Sequence, residues 1–257
     1  MKISSIIFSS LLCCCSVSAL AMEMSHPFYL PAKKVVVSEI KGDFYRKQVK
    51  QAHQHTDYEK TLAMALSYGL SDKASLNVEV SNMWERKTKP NASTHHQARN
   101  VFYRIGGSYD FYQTDAILTK VNVDYFQQET HHKGGAYKAL QVEGRVGYRN
   151  DFILPYLGAE VELPIAQSKK SDDKLKYDAY LGLYRKLGAY LAADAKVNFN
   201  YDDNDKAREW RADASLSVLP TDKIALTLFG QYVLDDKGKE NTETFEKRIG
   251  VSVKFAF

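Results

Sequence analysis

From about residue 34 onward, apolar and polar side chains alternate one for one, the periodicity of β-strands with one apolar and one polar face. The last segment is the clearest case. Phe245, Ile249, Val251, Val253, Phe255 and Phe257 share one face, interrupted only by Lys247. Thr244, Glu246, Arg248, Gly250, Ser252, Lys254 and Ala256 share the other. Leu191, Ala193, Ala195, Val197, Phe199 and Tyr201 alternate in the same way with Asp194, Lys196, Asn198 and Asn200. The pattern predicts about twelve strands, near 34–49, 57–69, 74–87, 98–112, 115–129, 136–149, 152–163, 174–186, 189–201, 206–219, 223–235 and 244–257. The first alternates least cleanly, because Val35, Val36 and Val37 are consecutive. Most run 12 to 15 residues, against roughly 5–6 for soluble strands and roughly 9–11 for a tilted strand crossing a bilayer.

The connections add a second regularity. Gly69–Asp72, Gln113–Thr114, Asn150–Asp151, Leu187–Gly188 and Pro220–Asp222 read as tight turns. The segments 50–56, 88–97, 130–135, 166–173, 202–205 and 236–243 are longer and polar, and they alternate with the turns along the chain. Strict short–long alternation predicts an all-β chain folded as an antiparallel up-and-down transmembrane β-barrel, with short periplasmic turns and longer extracellular loops. Aromatic residues fall near strand ends on the apolar face. Tyr58, Trp84, Tyr125, Tyr201, Trp210, Tyr232 and Phe245 mark the loop end, and Tyr68, Tyr109, Phe111, Tyr148, Phe255 and Phe257 the turn end. Two such bands are expected where a barrel meets the two membrane–water interfaces.

Composition narrows the alternatives. The 257 residues are 44% hydrophobic with a mean hydropathy of −0.40. No run of about 18 apolar residues occurs past the extreme N-terminus, which excludes helical membrane spans. The 17 Tyr and 12 Phe at regular positions exclude a disordered chain, and 35 basic against 31 acidic residues is too mixed for a nucleic-acid binder. Residues 1–21 read as an export signal: Lys2, an apolar stretch from Ile3 to Val17, then the small-x-small sequence Ala19-Leu20-Ala21. Cys13, Cys14 and Cys15, the only cysteines, lie in that stretch, so the mature chain has no disulfide. The expected organisation is a signal over 1–21, a short periplasmic segment over 22–33 and the barrel over 34–257.

The ending Val251-Ser-Val-Lys-Phe-Ala-Phe257 resembles the C-terminal assembly signal of Gram-negative outer-membrane β-barrel proteins. Tyr68-Gly-Leu-Ser-Asp-Lys-Ala-Ser-Leu-Asn-Val78 is similar to a strand–turn–strand pattern of porin-like and MetA-pathway-like barrels. Arg248-Ile-Gly-Val-Ser252 is similar to the ending of twelve-stranded oligogalacturonate-porin-like channels. The resemblance implies an outer-membrane location. Its implied partners are lipid and lipopolysaccharide, an assembly machinery that reads Val253, Phe255 and Phe257, and a small hydrophilic solute. It implies no cofactor.

If the apolar faces meet lipid, the polar faces enclose an axis. That register places Arg104, Lys120, Arg145, Lys196, Arg211, Arg248 and Lys254 in the lumen with Glu79, Asp124, Glu143, Glu160, Glu162, Asp178, Asp194 and Asp213. Seven positive and eight negative charges nearly balance, without the basic excess of channels for acidic oligosaccharides. Twelve strands fall between the eight that side chains fill and the sixteen that leave an aqueous pore. Two readings follow: a narrow passive channel lined by these charges, or a structural or surface-interaction barrel closed by charge pairs. Six of the seven histidines fall in three loops, as His53 and His55, His95 and His96, His131 and His132. Such pairs suit a transition metal or a pH-sensitive mouth, although histidine is also an ordinary polar loop residue. No strand carries the outward Ser–His pair of an outer-membrane hydrolase, so no enzyme activity is expected.

Overall fold

The computed structural model describes residues 24–49, 55–88, 96–130, 135–166, 175–203, 207–237 and 244–257. Twelve strands form: β1 Val36–Val49, β2 His55–Ser71, β3 Ala74–Thr88, β4 His96–Tyr109, β5 Ile117–Thr130 and β6 Gly135–Tyr148, then β7 Leu154–Ala166, β8 Lys176–Lys186, β9 Leu191–Asp202, β10 Ala207–Thr221, β11 Ile224–Lys237 and β12 Thr244–Ala256. Each pairs antiparallel with its chain neighbours, and β1 closes on β12 from Val37↔Ala256 to Val49↔Thr244. Closure leaves no sheet edge, which the hydrocarbon of a bilayer would otherwise penalise. The expected fold class is therefore the observed one. The difference lies at the β4–β5 turn, where β4 ends at Tyr109 and seven residues precede β5. Thr119 Oγ1 accepts the Tyr112 N–H at 2.8 Å, so Tyr112 leaves the ladder that the alternation alone would have continued.

The barrel is inside out relative to a soluble one. Leu62, Met64, Leu66, Leu181, Leu228, Ile249 and Val251 are exposed on the outer wall, most of them more than half so. Burial alternates residue by residue along β8. Trp84, Trp210 and Tyr232 mark the loop end of this apolar belt, and Tyr68, Tyr109, Tyr148 and Phe257 the turn end. The last residue and the start of β1 lie on the turn side, tied by Phe257 N to Val36 O at 2.8 Å.

Candidate functional site

The register turns every charged residue assigned above to the lumen into a neighbour of others. Arg104 and Glu79 are cross-strand mates 3.9 Å apart, and Lys196 and Asp213 are mates at 3.4 Å. Arg211 reaches Asp213 at 3.5 Å and, across β9, Asp178 at 3.6 Å. Arg248 meets Asp43 at 3.5 Å and Glu59 at 3.8 Å, and Lys254 meets Glu39 at 3.7 Å. Glu143, Glu160 and Asp178 stand directly opposite one another on β6, β7 and β8, a row of like charges that would be destabilising if left bare. Glu143 is satisfied by Arg145, Tyr180 and Asn122, and Asp178 pairs through one oxygen with Arg211. Glu160, between them, has no hydrogen bond or ion pair among the described residues. Glu162 takes Gln141 at 2.7 Å, Lys176 at 3.3 Å and the Tyr137 hydroxyl.

Sequence reasoning missed several members of this network. Glu39, Asp43, Tyr45 and Lys47 alternate on β1 opposite Ile40 and Phe44, and Tyr45 donates to Glu246 at 2.5 Å while Lys47 pairs with the same carboxylate. The signal was present in β1 but hidden by its valine start. Lys176, Glu59 and Glu209 sit near the loop end of their strands, where polar residues also read as loop.

Two tyrosines reach beyond their neighbouring strand because the facing residue is glycine. Tyr180 is the mate of Gly158 and Tyr156 the mate of Gly182. A Cβ on Gly182 would stand 2.2 Å from the Tyr156 ring, and one on Gly158 2.3 Å from the Tyr180 ring. Lying flat over these glycines, Tyr156 donates to Asp194 on β9 at 2.7 Å, and Tyr180 donates to Glu143 on β6. This is the aromatic cover of a glycine that also pins strand register. Gly182→Val should therefore destabilise the barrel by about 1–3 kcal/mol in urea unfolding, the range for overpacking; an unchanged midpoint would mean the tyrosines can rotate away freely.

The lumen is not polar throughout. At the turn end the inward residues Val37, Leu118, Leu154, Ala192, Leu219 and Ala225 are buried and apolar, a departure from the fully polar interior expected from the alternation. They are apolar because they receive the N-terminal segment, which lies inside the barrel mouth. Met24 and Phe28 are 3% and 4% exposed within this ring of side chains. Gly147 makes room for the Phe28 ring, which a Cβ there would approach to 2.7 Å. Tyr184 meets the His26 ring edge-on at 4.9 Å, and Tyr156 meets Phe28 at 6.2 Å.

Three lumen cations hold the segment's carbonyls: Arg145 donates to Pro27 O at 2.6 Å, Lys120 to Tyr29 O at 3.0 Å and Lys254 to Met24 O at 3.5 Å. With Pro27 and Pro31 in it, the segment lacks the donors to join the sheet, so these side chains replace ladder partners. It turns into β1 at Lys34, whose φ of +68° lies in the left-handed region, with Lys34 N bonded to Gly69 O at 2.8 Å.

His26, outside the spanning strands, is held down to a pKa of about 4 by burial, with the positive charges of Arg149 and Lys120 adding to it. A neutral imidazole is therefore part of the seated segment. A segment released from the mouth would bind a proton below about pH 6.5, whereas the seated one binds it only near pH 4, so acidification through that window would favour release. Conductance should rise on acidification from pH 7 to 4.5, and His26→Gln should flatten the rise. An identical pH profile in that variant would remove His26 from the process.

Beside the segment, a cavity of about 250 Å³ opens along one half of the wall. Small inward residues make it, among them Ala65, Ser67, Ser75 and Ser108, with Asn77 donating to Ser108 at 2.9 Å. The opposite half is filled by Tyr137, Tyr156, Tyr180 and Tyr184. Any passage is therefore eccentric, on the β1–β5 side.

His53, His95, His131 and His132 lie outside the described residues, as do the side chains of His55 and His96, which open β2 and β4. The export signal over 1–21 also lies outside them. Among the described residues, no group of three or more His, Cys, Asp and Glu side chains is arranged to hold a metal.

A closed twelve-stranded barrel with an apolar outer belt, two aromatic girdles and a charged lumen has the architecture of an outer-membrane β-barrel. No protein-family model matches the sequence, and no curated protein is found as a relative. Solved structures do match over nearly the whole chain. The COG4313 outer membrane channel from Pseudomonas putida F1 superposes with a TM-score of 0.65 at 10% identity, covering 94% of this chain and 100% of that one. The β domain of the Bordetella autotransporter BrkA gives 0.59 at 11% identity, covering 87% of this chain and 100% of that one. The KdgM porin in complex with disordered oligogalacturonate gives 0.52 at 10% identity, covering 85% and 99%. At these identities the likeness concerns the fold.

Proposed function

We propose that the protein is a narrow, gated outer-membrane channel for small hydrophilic solutes, with the segment 24–34 as its gate at the periplasmic end. The observation that carries this reading is the polar cavity running down one wall to that segment. A barrel built only as a scaffold gains nothing from leaving one side of its interior open, lined by small and polar residues, while packing the other with Tyr. The similarity in fold to an outer-membrane channel and a porin supports the same reading. The outer belt faces lipid and lipopolysaccharide. At the end of β12 and just past it, Val253, Phe255 and Phe257 present the C-terminal signature for assembly, and export proceeds through cleavage of the first 21 residues.

The second reading, a barrel whose lumen stays shut, is favoured by the pairing of most lumen charges and by the seated segment. Single-channel recording in planar bilayers separates the two. Discrete openings in salt are expected for the channel. Their absence at every voltage, in the wild-type protein and in a variant with the segment unseated, would remove the channel reading and leave the structural one.

A further inference from the structure

We infer that the lumen cavity is a binding site for a small zwitterion, a solute carrying an ammonium group and a carboxylate joined by a short chain. The inference rests on the channel reading for the solute's route and on the cavity itself for its chemistry.

Most lumen charges are neutralised by a neighbour, as Arg145 is by Glu143 and Lys196 by Asp213. Among the charges that line the cavity, the two that β5 contributes are the exception. Lys120 Nζ has one partner, the Tyr29 carbonyl at 3.0 Å, and no carboxylate within ion-pair distance among the described residues. Asp124 has neither a hydrogen bond nor an ion pair among them. Both project from the same face of β5, four residues apart, with Asn122 between them. That spacing is about 13 Å along the strand, with the carboxylate nearer the loop end and the ammonium nearer the N-terminal segment. Asn122 does not bridge them, because its amide donates to Glu143.

An unmatched charge away from bulk water is unfavourable until a partner arrives. A solute with one charge would satisfy one of these groups and confront the other with a like charge. A zwitterion, ammonium outward to Asp124 and carboxylate inward to Lys120, satisfies both. The remaining lining charges are loosely coupled pairs, Glu79 with Arg104 at 3.9 Å and Glu39 with Lys254 at 3.7 Å, which leave each end its polarity. Glu160, the other unpaired carboxylate, does not line the cavity. A volume of about 250 Å³ lies below the roughly 300–1,000 Å³ of sites for drug-sized ligands, so the solute has few heavy atoms.

Three probes of one length isolate the claim: 6-aminohexanoate, hexylammonium and hexanoate. Calorimetric titration into the detergent-solubilised mature barrel should show 6-aminohexanoate bound about tenfold more tightly than either single-charge probe, the effect of one added charge-assisted contact. Asp124→Asn, close in shape, should remove that advantage while leaving hexanoate binding unchanged or improved. Lys120→Met should do the converse, sparing hexylammonium. Equal binding of the three probes, or no binding of any, would overturn the zwitterion site. Salt conductance in bilayers is read on the same preparation and on the variant with Met24 and Phe28 both replaced by Ala, and depends on neither outcome, so a barrel silent in both that still prefers 6-aminohexanoate would sink the channel reading and support the site.

Discussion

Replacing Met24 and Phe28 together by Ala is expected to turn a barrel that is mostly shut into one that is mostly open. Both side chains are almost fully buried against the apolar ring at the turn end, and each loses that burial when the segment leaves. Truncation to Ala at such sites costs about 2–5 kcal/mol for Met and about 3–5 kcal/mol for Phe. Even the lower values, about 5 kcal/mol together, shift the seated-to-released ratio by about five-thousandfold. The three carbonyl contacts from Arg145, Lys120 and Lys254 cannot compensate, because the released segment exchanges them for water at little net loss. Planar-bilayer recordings should show longer openings and a larger unit conductance. Heat-modifiable mobility in gels should not change, since no strand is altered. Identical gating in variant and wild type would show that the segment does not control the passage.

How much of this was open to reading in the primary sequence follows from where the pattern is local. Alternation is a property of each strand taken singly, so strand number, the lipid-facing side and the lumen side of Arg104, Asp124 and Arg145 were all legible. Pairing is a property of register between strands, and register depends on shear and loop geometry that alternation does not encode. Hence Arg211 with Asp178, two strands apart, could not be anticipated. Tyr156, Tyr180 and Tyr184 sit on the polar face of β7 and β8, where an aromatic residue looks like a lapse in the pattern until its glycine mate is known.

The N-terminal segment escaped for another reason. It was expected only as a short periplasmic segment over 22–33, and in His26-Pro-Phe-Tyr-Leu-Pro31 two prolines, which disfavour a strand, bracket an apolar triplet. The overlooked clue was the triplet itself, since three exposed apolar residues need a surface to cover. Leu118, Leu154 and Leu219, inward at the turn end, supply it.

A charge placed on the outer wall should separate a lipid-facing surface from a merely exposed one. Leu181, in the middle of β8, is 62% exposed, and its neighbours Tyr180 and Gly182 face the lumen. In a water-soluble protein a substitution at such a site changes stability by no more than about 0.5 kcal/mol. Facing the bilayer midplane, Leu181→Arg should instead cost about 2–4 kcal/mol, because the guanidinium loses its water. Leu187→Arg, in the turn after β8, offers the internal comparison: it is 46% exposed but at the interface, where about 0–1 kcal/mol is expected. Urea unfolding of the barrel refolded into phospholipid vesicles measures both, with Trp84 and Trp210 on the belt as fluorescent reporters. A steep dependence on depth places hydrocarbon against the apolar face, which leaves the charged face no other place than around the axis. Small and equal effects at the two positions would mean that water wets the outer wall, and a charged interior would then have no membrane to cross.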